Sequence, residues 1–139
     1  MEQTVILIKP DAMRKKIVGE ITKRFEKEGF NLVACKMIRL TQELLNVWYS
    51  HHKDKPFFAS LCQFMMETPV VAQVWEGKDV VAKVRDLIGP TDSRLAPKGT
   101  IRGDFGDDNQ KNIIHASDSP ETAEKEKSMI FSLGEIFCW

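Results

Sequence analysis

The order in which apolar runs and helical patterns alternate is the strongest constraint on the fold of this 139-residue chain. Runs of β-branched and apolar residues predict strands at residues 4–8, 31–40, 69–75 and 112–115. Apolar residues at helical spacing, such as Ile17, Ile21 and Phe25, predict helices between the strands. We therefore expect one α+β domain over residues 1–139, a ferredoxin-like βαββαβ sandwich. Its four-stranded antiparallel sheet is expected to carry helices on one face, with a long loop before the last strand.

Three local patterns make finer predictions. Alternation places Val33, Cys35 and Met37 on one face of the second strand. No periodicity remains over residues 89–111, where glycine and proline are frequent, and this predicts an irregular, functional loop. Ser119 followed by Pro120 predicts a helix that begins directly after the last strand.

Charge and composition exclude several classes of protein. Lysine plus arginine and aspartate plus glutamate number 20 each, so the net charge is zero, which argues against nucleic acid or a membrane as the main partner. No signal peptide is recognisable, and no run approaches the ~20 apolar residues of a membrane span. Cys35, Cys62 and Cys138 have neither disulfide nor zinc spacing, so we expect reduced thiols in a cytoplasmic protein.

His115 lies where a short apolar strand meets this capped helix, and it is the candidate nucleophile. The N–H groups and the dipole of a helix N-terminus favour phosphate and a neutral imidazole, which is the nucleophilic form. Glu126, two turns into the helix, could bind the other ring nitrogen and fix the tautomer. The ordinary alternative is a buried histidine that pairs with a carboxylate to stabilise the end of the strand.

The segment around His115 carries a family resemblance. Residues 112–118 match the pattern N-x-x-H-[GA]-S-D of nucleoside diphosphate kinases, and residues 8–12, 55–58, 69–71, 75–77 and 99–105 match further family motifs in order. The chain thus resembles that family over nearly its whole length. The resemblance implies transfer of the γ-phosphoryl group from a nucleoside triphosphate, typically ATP, to a nucleoside diphosphate, in two half-reactions through a phosphohistidine at His115. The alternative is a non-catalytic nucleotide-binding or nucleic-acid-binding regulatory member of the same fold.

The resemblance also implies roles for individual residues. Glu126 and Ser117 would belong to the hydrogen-bond network of His115, and Tyr49 would lie beside the histidine. The phosphate ligands would be Lys9, Arg85, Thr91 and Arg102, while Phe57 would stack on the base and Asn112, with Lys9, would contact the ribose. Mg²⁺ would arrive on the nucleotide phosphates without a protein cage. A homo-tetramer or homo-hexamer is expected.

Each of these side chains also has an ordinary explanation when it is taken alone. Lys9 could be a solvated strand end, Phe57 could belong to the core, and Glu126 could form only surface pairs; Arg85, Tyr49, Thr91 and Arg102 could be ordinary surface residues. Two departures from the family pattern stand out. Asn109 stands where many members of the family carry an apolar residue that faces the base, and Trp48 stands where a histidine is common in the family.

Overall fold

The computed structural model describes residues 1–139. The strands are β1 (Glu2–Ile8), β2 (Asn31–Ile38), β3 (Val70–Gly77) and β4 (Ile114–Ala116). The helices are α1 (Pro10–Lys15), α2 (Val18–Lys27), α3 (Gln42–Trp48), α4 (Phe58–Met65), α5 (Val80–Ile88), α6 (Ile101–Phe105) and α7 (Pro120–Ile130). Short 3₁₀ turns lie at Ser50–His52, Ser93–Leu95 and Leu133–Glu135. None of the helices combines the length and the apolar character that a membrane crossing requires.

The four strands form one antiparallel sheet in the order β2-β3-β1-β4. β1 pairs with β3 along its full length, and on its other side it pairs with the short β4. Leu7 of β1 lies opposite His115 of β4. The expected ferredoxin-like βαββαβ arrangement is confirmed, and it places His115 beside the end of the central strand.

Helices cover both faces of the sheet, so the prediction of helices on one face is wrong. Val5 and Leu7 of β1 belong to an apolar cluster that also contains residues of α3, α4 and α7. Ile6 and Ile8 belong to a second cluster, on the opposite face, with residues of α1, α2, α5 and α6. Successive side chains of a strand point to opposite faces, so β1 is buried on both. Helical periodicity identifies the apolar side of a helix, but it does not identify the face of the sheet that this side covers.

A β-bulge changes the faces of β2. The register with β3 shifts between Leu32 and Ala34, and both Val33 and Ala34 are buried in the first cluster. Cys35 and Met37 are exposed. Because a bulge inserts one extra residue, the alternation restarts after it. The prediction that Val33 shares a face with Cys35 and Met37 is therefore wrong.

Two short helices lie where the sequence predicts none. Proline after β1 has the character of a strand terminator, but it is also favoured at the first position of a helix, and Pro10 begins α1. The segment 89–111 contains α6, whose N-cap is Thr100 with its Oγ1 accepting from the backbone N–H of Gly103 at 3.0 Å. A helix of five residues is too short to show periodicity. The long loop is thus partly helical.

Candidate active site

His115 and Glu126 are brought together by the junction of β4 and α7. Ser119 caps α7 as predicted, because its Oγ accepts a hydrogen bond from the backbone N–H of Thr122 at 3.1 Å. Pro120 occupies the first helical position, where its missing N–H has no consequence. The cap starts α7 immediately after β4, and Glu126 follows on the second turn. Its Oε2 lies 2.9 Å from Nε2 of His115.

Ser117 binds the second oxygen of the Glu126 carboxylate, the one that does not contact His115. The Ser117 hydroxyl donates to Oε1 of Glu126 at 2.7 Å, and its Oγ accepts from the backbone N–H of Val5 at 3.0 Å. Ser117 is fully buried and Glu126 is 7% exposed, so Glu126 is not a residue that forms only surface pairs. With both oxygens engaged, the carboxylate holds the imidazole in one orientation.

The bond to Glu126 also determines the tautomer of His115. A carboxylate only accepts hydrogen bonds, so the proton lies on Nε2 and the lone pair lies on Nδ1. The His115 side chain is 23% exposed and lines a cavity of about 590 Å³. Trp48 packs against the imidazole edge-on, with ring centroids 5.1 Å apart. The result is an oriented imidazole whose Nδ1 has no hydrogen-bond partner in the protein.

Lys9 lies at the end of β1 and is buried, so it is not a solvated strand end. Its ammonium donates to Oδ1 of Asn112 at 2.5 Å and to the carbonyl of Gln110 at 2.8 Å. Burial lowers the pKa of Lys9 to about 8, against the opposing effect of the nearby Asp11 carboxylate. The amide of Asn112 continues the network by donating to the carbonyl of Thr91 at 2.9 Å. Lys9 and Asn112 are thus in direct contact in the cavity wall.

Arg102 is also buried, and its guanidinium holds three backbone carbonyls. It donates to Asn112 at 3.2 Å, to Gly89 at 2.9 Å and to Ile114 at 2.7 Å. Burial lowers the pKa of Arg102 to about 10, and the positive charge of Arg85 acts in the same direction. Three of its five N–H groups are occupied in this way, and two remain for a ligand in the cavity.

Arg85 and Thr91 complete the polar wall. Arg85 is exposed on α5, and its guanidinium donates to the carbonyl of Ala116 at 3.2 Å, directly beside His115. Thr91 is exposed in the segment after α5. The two residues line the same cavity as Lys9, together with the other predicted residues Tyr49, Arg102, Asn112, His115 and Glu126. Ser117 lies behind Glu126 and does not line it.

Phe57 is placed at the rim of the cavity and not in the core. Its side chain is 46% exposed, and its ring meets that of the cavity-lining His52 edge-on, with centroids 5.2 Å apart. Tyr49 is half-buried in the cavity wall, where burial raises the pKa of its hydroxyl. The ring in edge contact with His115 is that of Trp48, not that of Tyr49.

Three residues near His115 have no role in the sequence-based assignment. Trp48 contacts His115, Asp118 lines the cavity, and Asp11 binds the backbone two residues before His115. A hydrogen bond to Thr122, together with the charge of Arg85, lowers the pKa of Asp118. Asp118 lies inside the N-x-x-H-[GA]-S-D pattern, which could have signalled it. No spacing rule connects Trp48 or Asp11 with His115, because both contacts are formed by tertiary structure.

Comparison with known proteins agrees with this geometry. The family model described as nucleoside diphosphate kinase matches residues 2–136. The chain belongs to the nucleoside diphosphate kinase family. A nucleoside diphosphate kinase of Staphylothermus marinus is 49% identical to it over 99% of this chain and 98% of that protein. A nucleoside diphosphate kinase of Trichormus variabilis is 48% identical over the whole chain and 93% of that protein.

Solved structures of nucleoside diphosphate kinases have the same fold. The Aquifex aeolicus enzyme matches with a TM-score of 0.92 and 50% identity, over 98% of this chain and 99% of that one. The Halobacterium salinarum enzyme, solved in complex with CDP, matches with a TM-score of 0.97 and 41% identity, over 99% and 92% of the two chains. The residues matched by the family model include β4 and α7, which hold the histidine site of this nucleoside diphosphate kinase family member.

Proposed function

We propose that this member of the nucleoside diphosphate kinase family transfers the γ-phosphoryl group of a nucleoside triphosphate, typically ATP, to a nucleoside diphosphate through a phosphohistidine at His115. This activity would maintain the pools of nucleoside and deoxynucleoside triphosphates. The observation that carries the proposal is the oriented His115, with Nε2 bound to Glu126 and Nδ1 free in a cavity lined by cations. A histidine that only stabilised its strand would not need an unpaired nitrogen beside Lys9, Arg85 and Arg102.

The chemistry follows from this tautomer. The Nδ1 lone pair attacks the γ-phosphorus, the bond from that phosphorus to the β-phosphate oxygen breaks, and the diphosphate leaves with the electron pair. Positive charge develops on the imidazole as the N–P bond forms, and the Glu126 carboxylate stabilises it through the Nε2 proton. A second diphosphate then enters, its terminal oxygen attacks the same phosphorus, and the N–P bond breaks. Two exchanges at one site give ping-pong kinetics.

The cations around His115 match the charge of the transferring group. Phosphoryl transfer spreads negative charge over three equatorial oxygens, so catalysis depends mainly on positioning and charge stabilisation. Lys9 and Arg102 are held by backbone and side-chain partners before any ligand enters, so little reorganisation is needed. The exposed side chains of Arg85 and Thr91 add a guanidinium and a hydroxyl. We assign these four residues to the phosphates.

The base and the ribose are assigned to the outer part of the site. Phe57, exposed at the rim, offers an aromatic face, and stacking is tolerant of base identity because every base has a π-face. Broad base specificity follows from this kind of recognition. Asn112 and Lys9, which touch each other in the wall, are assigned to the ribose hydroxyls.

Mg²⁺ is proposed to enter as part of the substrate. The cavity carries the cations Lys9, Arg85, Arg102 and Lys125, whereas its carboxylates are Asp118 and Glu126, and both oxygens of Glu126 are already engaged. This set suits phosphate oxygens better than a bare divalent ion, and Mg²⁺ commonly stays on the phosphates with several waters.

We further propose that copies of the chain assemble into a homo-tetramer or homo-hexamer in the cytoplasm. Met37, Phe137 and Trp139 are large apolar side chains that remain more than 60% exposed in the single chain. Residues of this kind are favoured in contacts between subunits. Cys35 and Cys138 are free and exposed, which suits a reducing compartment. Light scattering coupled to gel filtration would give the copy number.

Phosphoenzyme formation is the direct test of the enzymatic proposal. The purified protein is incubated with Mg²⁺ and ATP labelled on the γ-phosphate, and the label is tested for acid lability and alkali stability. Labelled protein is expected for the wild type and for Glu124→Gln, which removes an exposed carboxylate of α7 that does not line the cavity, but not for His115→Ala. Transfer of the label to an added diphosphate completes the cycle. Absence of label in the wild type, or equal labelling in His115→Ala, would contradict the proposal.

The regulatory alternative predicts a different outcome of the same assay. A non-catalytic nucleotide-binding or nucleic-acid-binding member would bind its ligand without labelling. The zero net charge gives no electrostatic support for nucleic acid as the main partner. We therefore do not favour this alternative.

A further inference from the structure

A strained turn lies directly before the strand that carries His115. Ile113 has a φ of +78°, and the backbone N–H of Ile114 donates to the carbonyl of Asn112 at 2.9 Å. A hydrogen bond between residues two apart around a positive φ defines the rarer, strained form of the γ-turn. A fully buried β-branched residue is an outlier in this conformation, so the surroundings must hold it there.

Asp11, at the start of α1, provides the clearest restraint on the turn. Its Oδ2 accepts a hydrogen bond from the backbone N–H of Ile113 at 2.9 Å. The backbone N–H of Lys9 binds the carbonyl of Ile113 at 2.9 Å, so the peptide groups on both sides of Ile113 are fixed by the same segment. Arg102 holds the carbonyls of Asn112 and Ile114, the two neighbours.

The burial of Asp11 indicates that this contact has a specific purpose. Asp11 is 6% exposed, and its second oxygen, Oδ1, is buried without a hydrogen-bond partner. Burial raises the pKa of this carboxyl, because a buried environment disfavours its charge. A helix N-terminus on the surface would accept an aspartate at no such cost. The hydrogen bond from the N–H of Ile113 explains why an aspartate occupies this buried position.

We propose that Asp11 is a positioning residue of the transfer reaction, which locks the γ-turn at Ile113 and thereby sets the placement of His115. This inference rests on the proposed function. The turn matters because β4 is only three residues long and is bonded to β1 on one side alone. The direction in which the chain enters β4 therefore depends on the conformation of Ile113.

Loss of the Asp11 acceptor has a defined physical consequence. The N–H of Ile113 would remain buried without a partner, and the backbone would relax toward the negative φ values that β-branched residues favour. Such a relaxation rotates the peptide before Ile114 and displaces His115 from the Glu126 carboxylate. Misplacement of a reacting group by about 1 Å can reduce the rate of a reaction 10²-fold.

Two variants of Asp11 separate the hydrogen bond from the charge. Asp11→Ala removes both, whereas Asp11→Asn removes the charge but keeps an oxygen that can accept from Ile113. Val33→Ala, in the apolar cluster on the opposite face of the sheet, is the matched control for a general loss of stability. Each variant is measured below its own unfolding temperature for kcat and KM, and the protein with ¹⁵N-labelled histidine is examined by NMR.

The expected result is a kcat-specific loss that the conservative variant reverses. Asp11→Ala should lower kcat by about 10- to 100-fold, with KM changed by less than about 3-fold, and should shift the His115 ring nitrogen resonances. Asp11→Asn should restore kcat to within about 3-fold of the wild type, and Val33→Ala should leave both kcat and the resonances unchanged. An Asp11→Ala enzyme with wild-type kcat, or an Asp11→Asn enzyme as slow as Asp11→Ala, would overturn the inference about Asp11 and leave the proposed function intact. A wild-type protein without transfer activity would overturn the proposed function itself.

Discussion

Replacement of Glu126 by glutamine tests the charge beside the His115 imidazole while it preserves the shape of the network. The glutamine carbonyl can still accept from Nε2 of His115, and its amide can donate to the Ser117 hydroxyl, so both contacts, at 2.9 and 2.7 Å in the native protein, can persist. What is lost is the negative charge that faces the imidazole when positive charge develops on it. Glu126→Gln is therefore expected to slow phosphorylation of the enzyme without preventing nucleotide binding.

The size of the effect follows from the strength of the contact. Hydrogen bonds to charged groups contribute about 1.5–3 kcal/mol, against about 1 kcal/mol for neutral ones, so the variant should lose about 0.5–2 kcal/mol of transition-state stabilisation. At 1.36 kcal/mol for each factor of ten, this corresponds to a rate about 2- to 30-fold lower. Glu126 is nearly buried, so salt should screen the effect only weakly.

Rapid-quench measurement of phosphoenzyme formation from ATP gives the rate directly, free of the diphosphate step. Glu124→Gln is the matched control, because Glu124 lies on the same helix with its side chain 69% exposed and pairs with Lys127. An unchanged rate in Glu126→Gln would refute the reasoning. An equal fall of the rate in Glu124→Gln would also refute it, because the loss would then come from the total charge of α7 and not from the contact with His115.

Four further outcomes are expected. The pKa of Lys9 is lowered to about 8, so its ammonium is lost as the pH rises through that value, and KM for the diphosphate should rise above pH 8 while remaining flat below it. Asn109→Val should lower KM by about 2- to 5-fold, because an apolar wall packs better against a base; a higher KM would contradict this. A methyl group at Gly103 would overlap the carbonyl of Pro97, so Gly103→Ala should cost about 1–3 kcal/mol in urea unfolding, whereas Gly19→Ala, with open space around it, should not destabilise the protein. EDTA should abolish labelling without changing Tm, because the metal comes with the substrate; a fall in Tm would indicate a resident ion.

The elements with long, regular patterns could be predicted from the sequence, whereas short or irregular ones could not. The helical spacing of Ile21 and Phe25 and the cap at Ser119 are local signals, and α2 and α7 are found where they indicate. The bulge near Val33 is set by pairing with β3, and α6 is too short to form a pattern. Such features depend on partners that are distant in the sequence.

The residues of the candidate site could be predicted where they belong to sequence motifs, but not where tertiary contacts place them. The residues around His115 belong to recognisable motifs, and the structure brings most of them to one cavity. The bond from Asp11 to Ile113 and the three carbonyls bound by Arg102 could not be foreseen, because no sequence rule predicts a positive φ at isoleucine. Tertiary structure alone gives these residues their positions.

The edge contact between Trp48 and His115 gives the protein an optical reporter of its own chemical state. Indole emission responds to the charge of a neighbouring group, and the two rings are only 5.1 Å apart between centroids. The other two tryptophans are poor competitors for this signal, since Trp75 is fully buried among apolar side chains and Trp139 is 77% exposed near the end of the chain. Each arrival and departure of a phosphoryl group on the imidazole should therefore be visible as a fluorescence change in stopped flow, without any dye or engineered probe.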